Sequence, residues 1–254
     1  MLTNTPFLLP GDPNHVCLLL HGLGGGVYEM QWLGEYLHQR GLSVQAILYP
    51  GHRQDQPGGG MPRSRWQDWF THIQNTYLTL AQTYPRISIV GFSTGCPLGL
   101  HLAAQHPVFK LVMLAPYFRL RSQWYYGLTL EAYIHLLGWL ITDVPRMGLP
   151  IFDPVTEAQA RAAAFFRTFN ITSVKSAMEL IEQVKPQLST VHSPTLIVQS
   201  PHDSVVDPQG AVFLYNQLAA SEKTLHWLQR SNHIITLDYE RDEVMQRVGN
   251  FLVR

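Results

Sequence analysis

Charge is sparse in this 254-residue sequence: Asp, Glu, Lys and Arg make up 14% of it, 18 acidic against 18 basic. With no excess of either sign there is no broad field to gather nucleic acid or an anionic membrane surface. Cysteine is scarcer still. Cys17 and Cys96 are the only two. They are too few for a disulfide framework, and both fall in apolar stretches where they read as small core residues. No apolar run reaches about 18 residues, so no membrane-spanning helix is expected. The opening Met1-Leu2-Thr3-Asn4-Thr5-Pro6 lacks the basic and long apolar segments of a signal peptide, so the cytoplasm is the expected compartment. Metal-ligand spacings such as His-x-x-x-His with a nearby acid do not stand out, and neither metal nor cofactor is expected. Internal repeats and low-complexity segments are missing as well.

What the chain does have is length enough for one large α/β domain. Its aromatics, 11% of residues, suit an apolar pocket. Apolar runs at 16–20, 43–49, 87–92, 110–115, 195–199 and 224–228 read as strands, most of them buried on both faces. Residues 7–9 read as a short edge strand. Helical spacing of apolar residues appears over 28–39, from a Ser64 cap to about 84, from Cys96 to about 106, from Pro208 to about 219 and at the C-terminus. Between 117 and 190 strand and helix stop alternating. Helices are expected there near 130–141, 156–169 and 173–184, forming a helical cap inserted into a core of 1–116 and 191–254. Trp124, Tyr125, Tyr126, Trp139, Phe165, Phe166 and Phe169 could roof a pocket, although most are expected to fasten the cap to the core.

The chain is organised around Ile87-Ser88-Ile89-Val90-Gly91-Phe92-Ser93-Thr94-Gly95. A strand runs into Gly-x-Ser-x-Gly, the pattern of a sharp strand-to-helix turn with a serine at its apex. The two glycines let strand and helix approach each other. The helix start offers free N–H groups to a developing anion. A second glycine-rich loop, His21-Gly22-Leu23-Gly24-Gly25-Gly26, follows the first buried strand. It could supply one backbone donor for an oxyanion, the amide of Leu23, with the amide of Thr94 as the other. A phosphate-binding role fits poorly, because neither Gly-Lys-Ser/Thr nor the Gly-x-Gly-x-x-Gly spacing is present.

Two further residues complete a set. Asp203 sits just after the strand at 195–199 and His233 just after the strand at 224–228. Asp207, followed by Pro208, reads instead as a helix N-cap. His52 precedes the serine in a turn expected to be exposed, and reads as a loop-structuring residue. The order Ser93, Asp203, His233, each on a loop after a strand, is that of α/β-hydrolases and not of trypsin-like or subtilisin-like enzymes.

With Leu19-Leu20-His21-Gly22-Leu23, Tyr49-Pro50-Gly51-His52, the elbow and Ser231-Asn232-His233-Ile234-Ile235-Thr236-Leu237-Asp238, the sequence resembles the α/β-hydrolase superfamily. Within it, it resembles small bacterial carboxylesterases and monoacylglycerol-lipase-like enzymes, over nearly the whole chain except the cap. The resemblance implies a mostly parallel sheet flanked by helices. It also implies Ser93 as nucleophile, His233 as base, Asp203 as its orienting acid, and Leu23 and Thr94 amides as the oxyanion hole. Cys96-Pro97 departs from the small residue common after Gly95, which bears on pocket shape. The expected reaction is hydrolysis of esters of small apolar acyl groups. A thioesterase, an acyltransferase or a non-catalytic binder of apolar ligands could carry the same residues; a protease fits the cap less well.

Overall fold

A parallel strand covered by helices on both sides has no solvent face, and the continuous apolar runs of this chain become such strands. The computed structural model describes residues 1–53, 59–121, 132, 134 and 141–253. Its strands are β1 (Phe7–Leu9), β2 (His15–Leu20), β3 (Ser43–Ala46), β4 (Arg86–Phe92), β5 (Leu111–Leu114), β6 (Asp143–Pro145), β7 (Thr168–Asn170), β8 (Thr195–Gln199) and β9 (Lys223–Trp227). The helices are α1 (Tyr28–Gln39), α2 (Trp66–Ala81), α3 (Gly95–Ala103), α4 (Pro154–Ala163), α5 (Ile171–Val184), α6 (Gln209–Gln217) and α7 (Arg241–Val253).

Seven strands form one sheet in the order β1-β3-β2-β4-β5-β8-β9. β1 pairs antiparallel at the edge, and every other pairing is parallel. Along β2 and β4, alternate side chains enter separate cores, as the two-residue period of a strand requires. Val16, Leu18, Leu20, Ile87 and Ile89 pack with α2, α3, α5 and α6. Cys17, Leu19, Val90 and Phe92 pack with α1, α4 and α7. The chain leaves β2 toward β3 on one side and later returns to β4 on the other, so the strand order reverses at β2 and β4. The crevice beyond their carboxyl ends is where open α/β sheets hold ligands. Leu20 is in register with Gly91, which places the glycine-rich loop beside the elbow.

The structure corrects several expectations. β3 stops at Ala46, not near 49, because the Tyr49 amide donates to His21 Nε2 at 3.2 Å and not to a strand. The helix expected over 156–169 ends at Ala163. Thr168–Asn170 instead pairs antiparallel with Asp143–Pro145. On its other side, the Arg167 amide donates to the Gly59 carbonyl at 3.0 Å and the Met61 amide to the Thr168 carbonyl at 2.9 Å. With neighbours on both sides taking its backbone groups, an aromatic and β-branched segment is better satisfied extended. Trp124, Tyr125, Tyr126, Trp139 and nearly all of the helix expected over 130–141 lie outside the described residues. Among the described residues, no helix is long and apolar enough to cross a membrane.

Ser64 does not cap α2 through its side chain. The helix starts at Trp66 after an extended Arg65, and its first amide and that of Ser64 just before it are met from α5. Ser173 Oγ accepts from the Ser64 amide at 2.9 Å, and Ser176 Oγ from the Trp66 amide at 2.8 Å. Two serines over 100 positions away thus do the work a local cap would do. Ser173→Ala and Ser176→Ala should each lower the free energy of unfolding by about 1–3 kcal/mol, the cost of leaving a buried donor unpaired. Urea titration checks this, with a lowered midpoint at unchanged slope as the expected result.

Candidate active site

The elbow is held by close backbone packing. Ser93 has φ 53°, a left-handed conformation costing a non-glycine residue roughly 1–3 kcal/mol. A Cβ on Gly91 would stand 2.6 Å from the Gly95 carbonyl oxygen, and one on Gly95 would run into the Leu20 carbonyl. Strand, turn and helix can therefore meet only with glycine at both positions. The Ser93 amide donates to the Leu114 carbonyl at 2.9 Å and the Cys96 amide donates to the Ser93 carbonyl at 3.0 Å. Cys96 Sγ donates to the Gly91 carbonyl at 3.2 Å, so this departure from a smaller residue serves as a buried link inside the turn.

Ser93, His233 and Asp203, far apart in sequence, come together in one chain of hydrogen bonds. The Ser93 hydroxyl donates to His233 Nε2 at 2.9 Å, and His233 Nδ1–H donates to Asp203 Oδ2 at 2.7 Å. All three are buried, at 7%, 4% and 0% exposure, so the bonds act in a low dielectric. Asp203 is well supplied with donors. Its Oδ1 accepts from the amides of Val205 at 2.8 Å and Val206 at 2.9 Å, and its Oδ2 also accepts from Gln199 Nε2 at 3.1 Å. Burial alone would push its carboxyl up. The charge of His233, its hydrogen bond and the two amides outweigh that and hold it below the usual carboxylate range. Asp207 plays no part here: its Oδ1 accepts from the Gln209 amide at 3.0 Å at the start of α6.

The sequence reading missed the residues that brace these loops. Asn232 Oδ1 accepts from the Ser204 amide at 2.9 Å, the Ser204 hydroxyl at 2.8 Å and the His233 amide at 2.9 Å. It thereby ties the Asp203 loop to the His233 loop. Asp238 is fully buried and accepts from the amides of Asn232 at 2.6 Å, Phe152 at 3.0 Å and Asp153 at 3.0 Å. Glu240 accepts from the amides of Gln229 at 2.8 Å and Arg230 at 2.7 Å and from the Ser231 hydroxyl at 2.8 Å. The signal available was a carboxylate inside an apolar stretch, Ile234-Ile235-Thr236-Leu237-Asp238. A charge there has to be met by many donors.

The loop 21–26 lies against the elbow, where a Cβ on Gly22 would stand 3.3 Å from the Ser93 Cβ. His21 Nδ1–H donates to the Gly22 carbonyl at 2.8 Å, and the Gly25 amide donates to the same oxygen at 3.2 Å. That carbonyl shares a planar peptide with the Leu23 N–H, so these bonds orient the amide. Among the described residues, neither the Leu23 amide nor the Thr94 amide is used in a turn, loop or side-chain hydrogen bond. His52 is not exposed as expected; it is completely buried. Its ring is enclosed by His21, Tyr49 and Trp69, with centroids 4.9, 5.4 and 5.4 Å away. Burial pushes it down to about 4, so it is neutral and structural.

Behind the loop, Glu29 of α1 places Oε2 2.9 Å from the Gly22 amide, which donates to it. Burial pushes its carboxyl up from 4.5 to about 7; the Gly22 hydrogen bond and the charges of Arg146 and His233 pull the other way. A group raised on folding favours the folded state most below its unfolded value, and loses that advantage as pH rises through its folded value. The native protein should therefore lose stability relative to Glu29→Gln between about pH 4.5 and 7. Urea unfolding of both proteins at pH 5 and pH 8 checks this, with the difference moving in favour of Glu29→Gln at the higher pH.

Comparison with known proteins agrees with this architecture. The chain is 28% identical over 253 residues to a carboxylesterase of Bacillus subtilis (strain 168), covering 99% of this chain and 97% of the relative. It is 26% identical over 252 residues to a thermostable monoacylglycerol lipase of Bacillus sp. (strain H-257), covering 98% and 94%. A solved structure described with the metagenome-derived lipolytic enzymes LipS and LipT superposes with a TM-score of 0.85 at 23% identity, covering 98% and 97%. The fold is that of the α/β-hydrolases. A family model described as serine aminopeptidase, S33, matches residues 11–240, and the chain belongs to that family, Hydrolase_4.

Proposed function

We propose that the chain is a serine hydrolase of carboxylic esters, with Ser93 as nucleophile, His233 as general base and acid, and Asp203 as the residue that orients and stabilises the imidazolium. The observation that carries this reading is the unbroken chain from Ser93 Oγ through His233 to Asp203 Oδ2, at 2.9 and 2.7 Å. Ser93 attacks the acyl carbonyl as His233 Nε2 takes its proton. The tetrahedral oxyanion is met by the Leu23 and Thr94 amides, each worth roughly 2.7–4 kcal/mol in the transition state. The proton returns to the leaving alcohol, and water activated by His233 then releases the acid from the acyl-enzyme.

Residues 117–190 serve as a cap in this reading. The names of the two Bacillus relatives, a carboxylesterase and a monoacylglycerol lipase, support esters of apolar acyl groups as substrates. Phe169, an aromatic of the cap, has its ring against Gly24 of the loop. The family description, serine aminopeptidase, favours a second reading in which an amide is cleaved by the same residues. Acyl transfer and thioester cleavage would use them too.

A fluorophosphonate probe should label the native protein and not Ser93→Ala. A chain-length series of p-nitrophenyl esters should be hydrolysed, with aminoacyl p-nitroanilides and casein untouched; preference for the anilides would give the chain to peptide chemistry. Asp203→Asn should lower kcat by roughly 10⁴-fold, because the imidazole then favours the wrong tautomer. No labelling of a folded native protein would remove the enzyme reading altogether.

A further inference from the structure

The loop that carries Leu23 contains three successive glycines, Gly24-Gly25-Gly26. Glycine has the most backbone freedom to lose on folding, and Gly24 uses that freedom at φ 62°. A hydrogen-bond donor on such a loop is only as well placed as the groups that hold the loop from outside. Three side chains do so. Asn4 Oδ1 accepts from the Val27 amide at 2.8 Å, and its amide group fills the space beside Gly26. Glu29 accepts from the Gly22 amide at 2.9 Å, and its carboxylate fills the space beside Gly25.

The third comes from the β6–β7 pair. Arg146 Nη1 donates to the Gly24 carbonyl at 2.7 Å. Its guanidinium carbon lies 5.0 Å from the Phe169 ring centre and 5.4 Å from that of Phe165. Its backbone amide donates to the Arg167 carbonyl at 2.8 Å. A planar cation stacked against two aromatic rings, on a backbone held by the facing strand, has few orientations left. The Phe169 ring also occupies the space where a Cβ on Gly24 would be. The charge of Arg146 also pulls the Glu29 carboxyl down against the rise caused by burial.

We propose that Arg146 is a positioning residue for the oxyanion loop: it holds the Gly24 carbonyl against the grip of Glu29 on Gly22, and so sets the direction of the Leu23 N–H. This rests on the reading of Leu23 as an oxyanion donor. Arg146 itself acts on the loop backbone, through the Gly24 carbonyl, and not on the reacting atoms. An oxyanion exists only after attack, so the effect falls on kcat and leaves ground-state binding of substrate largely alone.

The test compares Arg146→Ala, Arg146→Lys and Arg161→Ala in the full chain. It measures p-nitrophenyl ester kinetics and hydrogen–deuterium exchange of the amides of 22–26. Arg146→Ala should lose about 10- to 100-fold in kcat, as a small misplacement of a catalytic group does, with KM nearly constant and faster exchange across the loop. Arg146→Lys, which keeps a donor and loses the planar stack, should fall between it and the native protein, and carries the comparison should the alanine variant not fold. Arg161 stacks on Phe165 at 4.7 Å and pairs with Glu157; its alanine variant should keep the native kcat. Unchanged kcat and exchange in folded Arg146→Ala would overturn the proposal, as would a rise in KM alone. If the native protein neither hydrolyses esters nor takes the fluorophosphonate, the reading of function is what fails. Unchanged exchange in Arg146→Ala would still sink the clamp separately.

Discussion

The turn at Ser93 is the constraint from which the rest of the site follows. A serine held at φ 53° stays there only if strand, helix and the neighbouring β2 end leave the backbone no alternative. Gly91 and Gly95 make that approach possible, since any side chain at either would meet backbone oxygen. The amide of Ser93 is bonded to the end of β5 and its carbonyl to the first turn of α3. Local strain is thereby held by packing that is continuous with the core of the sheet.

Buried carboxylates do the second part of the construction. Asp203, Asp238 and Glu240 stand on or beside the loops after β8 and β9, and each accepts several backbone N–H groups. A charge taken out of water is tolerable only when its lone pairs are met. Asp238 draws the His233 loop and the 152–153 segment to itself, and Glu240 holds 229–231. The loop of His233 is tied in this way to the start of α4, and through Asn232 to the loop of Asp203. The geometry of the imidazole is a property of this web and not of one hydrogen bond.

The described part of the segment between β5 and β8 packs into the same body. α4 packs into the core on one face of the sheet, α5 into the core on the other. The serines of α5 meet the Trp66 amide that opens α2 and the Ser64 amide just before it. Motion of the described part of this segment as a free flap would break both cores and leave buried amides unpaired.

The turn at Ser93, the strands that lead to each loop and the order Ser93, Asp203, His233 were legible in the sequence. They are local patterns: a period of two or a continuous apolar run, a glycine where the backbone must turn, a polar residue just past a strand. The burial of the central strands follows from these runs and the reluctance of parallel strands to stand in water; their order in the sheet does not. Only the tertiary structure decided that His52 is enclosed by rings from three segments. The same holds for the extended course of Thr168–Asn170, for the capping of α2 from α5, and for the hold of Glu29 on the Gly22 amide and of Arg146 on the Gly24 carbonyl. Most of the deciding partners lie far along the chain, about 110 residues for the α5 serines and about 120 for Arg146 and Gly24. Short-range periodicity carries no information about which distant backbone group a side chain will satisfy; that is set by the whole fold, where every buried donor and acceptor has to find a mate.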